Sequence, residues 1–223
     1  MIRVFIGYDP VEAGTFYTLA HSIHTRCSQP VSITPVSLEN LRGVLTRGRD
    51  PLQSNDFSFS RFLVPWMCDF EGWAIFMDCD MLVQDDIAKL WALRDDKHTI
   101  KVVKHNHIPQ ESTKYLGNKQ TQYNRKNWSS VMLMNCAKCE MLTPDYVNHM
   151  SGLQLHQFKW LFDRDIGELP KHWNHLVGYD EHNPRVSNIH YTTGGPYFKT
   201  YRECDYNIEW FDEQKAMNYI QDE

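Results

Sequence analysis

The chain has 223 residues, 42% of them apolar and 23% charged, with a formal net charge of -5. That composition describes a folded globular chain able to bury a substantial core, and it excludes a disordered one. The mixed, mildly acidic charge excludes a dedicated nucleic-acid surface.

Met1 to Gly7 reads as a first strand; it lacks the apolar stretch and small-residue cleavage site of a secretion signal. No apolar run approaches bilayer length. A reducing cytoplasm, with six cysteines that do not default to disulfides, is the expected setting. The strand, Arg3 to Tyr8, breaks at Gly7 to Pro10, where glycine, aspartate and proline supply turn chemistry. Glu12 to Thr25 carries Phe16, Leu19, Ala20 and Ile23 at helical spacing, and Val31 to Val36 is a second strand. This β-α-β opening predicts parallel pairing. Ser37 to Ser60 is a long polar loop of the kind that carries function. A short helix then ends near Cys68.

Trp73-Ala74-Ile75-Phe76-Met77 is an apolar run that leads straight into Asp78-Cys79-Asp80. Further on, Asp85 to Leu93 reads as a helix and Thr99 to Val103 as a strand. His105 to Asn127 is a polar excursion, and Ser130 to Asn135 is a strand. Thr143 to Met150 and Leu153 to Phe162 read as helices, Val186 to Tyr191 as a strand, and Glu209 to Ile220 as a terminal helix. There is no repeat, linker or low-complexity segment. The pattern predicts an α/β fold in a single domain over residues 1–223.

Paired carboxylates at the end of a buried strand are costly unless they are partnered or hold a cation. Positions i and i+2 of a strand face the same side, so Asp78 and Asp80 both reach the crevice where α/β sheets bind ligands. Hard oxygen ligands suit magnesium or manganese; the alternative is an acidic turn. His190 stands at the end of a strand as a candidate third ligand, and Gly194-Gly195 allow backbone amides close to an anion, with Lys199 as a point charge. The alternative there is a plain Gly-Pro turn. Arg61 can fork onto a phosphate or carboxylate. His105 and His107 have no partner at zinc spacing, and Cys136 with Cys139 is a lone pair read as structural.

Taken together, Phe5-Ile6-Gly7-Tyr8-Asp9, the strand ending in Asp78-Cys79-Asp80, and His190 with Gly194-Gly195 resemble the GT-A glycosyltransferases. The likeness is to the family 8 group of glycogenin and the lipopolysaccharide galactosyltransferases. Arg61, Asn127-Trp128-Ser129-Ser130, Leu169-Pro170 and Trp173-Asn174 resemble its bacterial and phage branch. The resemblance implies the GT-A fold, a mixed, mostly parallel sheet flanked by helices. It implies a UDP-sugar donor (UDP-glucose or UDP-galactose), Mn2+ or Mg2+, a glycan or other hydroxyl acceptor, and a retaining reaction.

By the same resemblance Asp78, Asp80 and His190 bind the metal, with Asp78 also meeting ribose. Gly7, Tyr8 and Asp9 cradle the nucleotide, Tyr8 stacking on uracil. Arg61 contacts the donor, and Gly194, Gly195 and Lys199 lie beside the diphosphate. The family's Asp-Gln-Asp segment, which helps position the sugar, has its nearest likeness in Asp163-Arg164-Asp165, which makes Asp163 and Asp165 the candidate catalytic carboxylates (the base, were the reaction inverting), with His156 and Gln157 as alternatives. Two rival functions are a sugar nucleotidyltransferase, which lacks its Gly- and Lys-rich first loop here, and a non-catalytic nucleotide-sugar or glycan-binding module.

Overall fold

The computed structural model describes residues 1–50, 53–106, 108, 113, 115–117 and 122–218. In chain order the regular elements begin with β1 (Ile2–Gly7), α1 (Ala13–Arg26), β2 (Val31–Val36), α2 (Val64–Met67) and β3 (Trp73–Met77). They continue with β4 (Met81–Val83), α3 (Ile87–Trp91), β5 (Ile100–Val102) and β6 (Val131–Asn135). The later half holds α4 (Pro144–His149), α5 (Gly152–His156), β7 (Ile166–Glu168), β8 (His175–Leu176), β9 (Asn188–His190) and α6 (Asn207–Met217).

Six strands form the main sheet in the order β2-β1-β3-β6-β5-β7. The β1-β2, β1-β3 and β5-β7 pairs are parallel, and β6 runs antiparallel to both its neighbours. The opening β-α-β unit is therefore as the sequence predicts, within a mixed sheet. β3 and β6 lie at the centre. Ala74 to Met77 and Val131 to Met134 have no exposed surface, as strands covered on both faces require. α1 turns Phe16, Leu19 and Ile23 inward.

A second sheet of three strands, β4-β9-β8, sits on its own apolar cluster of Leu82, Val177, Ile189, Tyr191, Tyr206 and Trp210. Its key pairing is antiparallel, with Met81 opposite His190 and Val83 opposite Asn188. This short strand, β4, begins directly after Asp80, and Asp78, Cys79 and Asp80 form the three-residue bend that joins it to β3.

Several boundaries differ from the sequence reading. The helix expected over Leu153 to Phe162 stops at His156, because Phe158 adopts a left-handed backbone (φ 53°) and buries its ring. The strands β4, β7 and β8 were not predicted. The terminal helix starts two residues earlier than Glu209, and Ile220 lies outside the described residues, as does His107.

Candidate metal and donor site

β3 delivers Asp78 and Asp80 to the edge of a cavity at the carboxyl ends of β1 and β3. The strand alternation carries one step past its end. Cys79 is fully buried and bonded on its inner side by Thr15, whereas both aspartates line the cavity and are 8% exposed. Burial, with Glu12 and Asp80 nearby, pushes the Cys79 thiol well above its ordinary range, so it remains a neutral spacer. Opposite Met77 stands Val131, which places Ser130 beside Asp78; the Asp78 amide donates to the Ser130 carbonyl at 2.9 Å.

His190 arrives from the other sheet. The β4-β9 pairing sets it beside Asp80, and the Tyr191 amide donates to the Asp80 carbonyl at 2.9 Å. Its Nε2 lies 3.4 Å from Asp80 Oδ1. One ligand atom from each of Asp78, Asp80 and His190 lies within 4.8 Å of the others. Donors about 2.1 Å from a central divalent ion stand at most about 4.2 Å apart, so small side-chain rotations close this set on a cation. Two carboxylate oxygens and an imidazole nitrogen suit magnesium, manganese or zinc chemistry. The residues fit a divalent metal.

Arg61 completes the inner charge balance. It is 4% exposed; its Nη1 lies 2.7 Å from Asp78 Oδ1 and also donates to the Ser129 carbonyl at 2.9 Å. The guanidinium thus pairs with Asp78, while Asp80 faces His190.

The remaining cavity wall includes Asn55, Ser58, Tyr123, Asn127, Ser129 and His156. Ser129 Oγ lies 2.8 Å from His156 Nδ1. Burial, together with the Arg61 and Arg47 charges, pulls the His156 pKa down to about 3, which leaves the ring neutral and a poor base. Burial pushes the Tyr123 phenol up to about 12, so it stays protonated.

The other anticipated residues fall at differing distances from this wall. Gly7 ends β1, and a Cβ there would sit 2.3 Å from the Phe57 ring, so glycine is required for that close approach. Tyr8 packs edge-on against Phe16. Asp9 caps residues 10–12 and accepts the Asp56 amide at 3.0 Å, which ties the 53–58 wall to the end of β1. Gly194 has φ 145°, a conformation other residues rarely adopt, and follows Thr192 of the wall. Gly195 accommodates the Tyr197 ring, and Lys199 is exposed.

Asp163 and Asp165 are not among the described residues lining the cavity. The Asp163 side chain is 84% exposed and pairs with Arg125 at 2.5 Å. Asp165 is drawn to the sheet by the β5-β7 pairing, its carbonyl accepting the Thr99 amide at 2.9 Å. His156 reaches the wall instead. Asn174 is a residue whose part the sequence reading did not assign; the Trp173-Asn174 likeness was its signal.

The family model for glycosyl transferase family 8 matches residues 50–194, the stretch that contains both aspartates, Arg61, His156 and His190. The chain belongs to glycosyl transferase family 8. It is 44% identical to Protein CDI of Arabidopsis thaliana over 225 residues, covering 97% of this chain and 87% of that protein. Among solved structures, the WbbM bifunctional glycosyltransferase matches with a TM-score of 0.68 at 15% identity. That alignment covers 96% of this chain, which spans about half (49%) of the WbbM chain. The galactosyltransferase LgtC matches with a TM-score of 0.62 at 12% identity, covering 99% of this chain and 98% of its own. At these identities the structures establish the GT-A fold of this family 8 chain. Among the described residues no helix is long and apolar enough to cross a membrane.

Proposed function

We propose that this family 8 chain transfers a hexose from UDP-glucose or UDP-galactose to a hydroxyl of a glycan acceptor, with retention and with Mn2+ as the working metal. The observation that carries the reading is the convergence of Asp78, Asp80 and His190 from two different sheets at one crevice. LgtC, described as a galactosyltransferase with donor and acceptor sugar analogues, supports the substrate class by its shared fold. In this reading residues 1–223 act as one catalytic unit in the cytoplasm.

Asp78, Asp80 and His190 would hold the cation, which when bound supplies Lewis-acid stabilisation to a departing nucleoside diphosphate. The protein's own residues do the positioning. Arg61 neutralises part of the Asp78 charge and fixes its carboxylate. Gly7, Tyr8 and Asp9 form the nucleoside side, and Gly194, Gly195 and Lys199 the diphosphate side. Ser129 and the neutral His156 form a wall that offers hydrogen bonds and no strong base. The acceptor hydroxyl then passes its proton to the departing phosphate. An inverting route would need a carboxylate on the acceptor side as base, and Asp163 and Asp165 stand away from the cavity.

A donor screen tests the proposal. UDP-, GDP- and CMP-sugars are incubated with Mn2+, and nucleotide release is followed with and without oligosaccharide acceptors. UDP-glucose or UDP-galactose should be consumed. A flat response to every UDP-sugar would sink the proposal and favour a binding module.

A further inference from the structure

We infer that Asn174, oriented by Ser130 and the Asn127 carbonyl, is a positioning residue that fixes which nitrogen of His190 faces Asp78 and Asp80. The inference rests on the metal reading of this triad and extends it to the groups bonded behind His190.

His190 Nδ1 lies 2.8 Å from Asn174 Oδ1. An amide can present either end to an imidazole, and here its far end decides. Asn174 Nδ2 lies 2.8 Å from Ser130 Oγ and 3.2 Å from the Asn127 carbonyl. A carbonyl only accepts. Ser130 Oγ gives its own proton to that same carbonyl at 2.7 Å, so towards Asn174 it also accepts. Two acceptors hold the NH2 group on their side. The amide oxygen therefore faces His190, and His190 Nδ1 must carry a hydrogen. Nε2 is left as the nitrogen directed at Asp80, the arrangement a metal-binding imidazole needs.

The surroundings make this relay stiff. Asn174 is fully buried and Ser130 is 2% exposed. The Trp173 carbonyl accepts from Asn188 Nδ2 at 3.0 Å, which ties the residue before Asn174 to the residue two before His190. The same short segment also holds the other arm of the triad. The Ser130 carbonyl accepts the Asp78 amide, and the Ser129 carbonyl accepts from Arg61, the partner of Asp78. Residues 127–130 thus set both the aspartate and the histidine sides of the site.

The test reads the metal and the proton separately. Mn2+ binding is titrated by electron paramagnetic resonance on wild type, Asn174→Leu, Asn174→Asp and Ser130→Ala, each checked for fold by circular dichroism. Asn174→Leu should weaken Mn2+ binding about 10–100-fold, the range seen when such outer partners of metal ligands are removed. Asn174→Asp, which keeps an acceptor for Nδ1–H, should recover most of the loss. Ser130→Ala, nearly isosteric, carries the same prediction at smaller size should Asn174→Leu fail to fold. In parallel, 15N-histidine NMR of the metal-free protein should show a protected His190 Nδ1–H that Asn174→Leu, or Ser130→Ala in its place, disturbs. Wild-type Mn2+ affinity in the variants together with an undisturbed Nδ1–H would overturn the inference. Should wild type itself bind no Mn2+, the metal reading fails, and the Nδ1–H signal still decides the relay.

Discussion

Arg61 and Asp78 form a buried ion pair, and neither charge reaches bulk water freely. Removing one member of such a pair leaves the other charge uncompensated, at a cost of about 3–5 kcal/mol. Arg61→Met should therefore destabilise the fold by that order in urea denaturation, and a loss under about 1 kcal/mol would show that the pair is solvated. Gly7 makes a different demand. The Phe57 ring occupies the place of any side chain at that position, so Gly7→Ala should cost about 1–3 kcal/mol through forced repacking. An unchanged denaturation midpoint would mean that Phe57 moves aside at no cost.

His156 gives the site a pH signature. In the folded protein it stays neutral down to about pH 3, whereas an unfolded histidine takes up a proton below about pH 6.5. Between these values the unfolded state binds the extra proton. Stability should therefore fall as pH drops from about 6.5, by up to about 1.4 kcal/mol per pH unit from this residue. His156→Gln should show a shallower fall between pH 6.5 and 5 in urea titrations; equal slopes would contradict the assignment.

At the scale of elements, what was legible in the sequence followed pattern length. β1, α1, β2, β3 and β6 each carry five or more residues of clear periodicity or unbroken apolar character, and they stand where the pattern puts them. β4, β7 and β8 have only two or three residues, and only their pairing partners define them, whereas β5 and β9, also three residues each, lie within the longer runs Thr99 to Val103 and Val186 to Tyr191. This mattered for the site: Asp78, Asp80 and His190 were each visible as residues, but the β4-β9 register that brings them together was not. The helix expected through Phe162 failed because one left-handed residue, Phe158, ended it while leaving the apolar spacing intact. Asp163 and Asp165 resemble a family segment by composition, yet the β5-β7 pairing and Arg125 hold them out of the described cavity lining.

Elements also meet through charge. Glu213 of α6 is 6% exposed and holds two groups of α1, His21 at 2.5 Å and Arg26 at 2.6 Å. Hydrogen bonds to charged groups contribute about 1.5–3 kcal/mol. Glu213→Ala should lower stability by that order and leave Mn2+ affinity unchanged, since it lies outside the metal site. A change in Mn2+ affinity would show that α6 supports the crevice directly.

On the scale of the whole molecule, the site is a seam. The main sheet supplies the end of β3 with Asp78, the small sheet supplies His190, and residues 127–130 bind the two together. Such a seam makes cation binding a measure of how the sheets are joined, which side-chain identity alone would not reveal. The most direct measurement is Mn2+-dependent release of UDP from UDP-glucose or UDP-galactose, by wild type and by Asp80→Asn. The account predicts that wild-type turnover stops in EDTA and returns when Mn2+ is added back, and that Asp80→Asn stays inactive while folded. Undiminished wild-type turnover in EDTA, or full activity in Asp80→Asn, would contradict it.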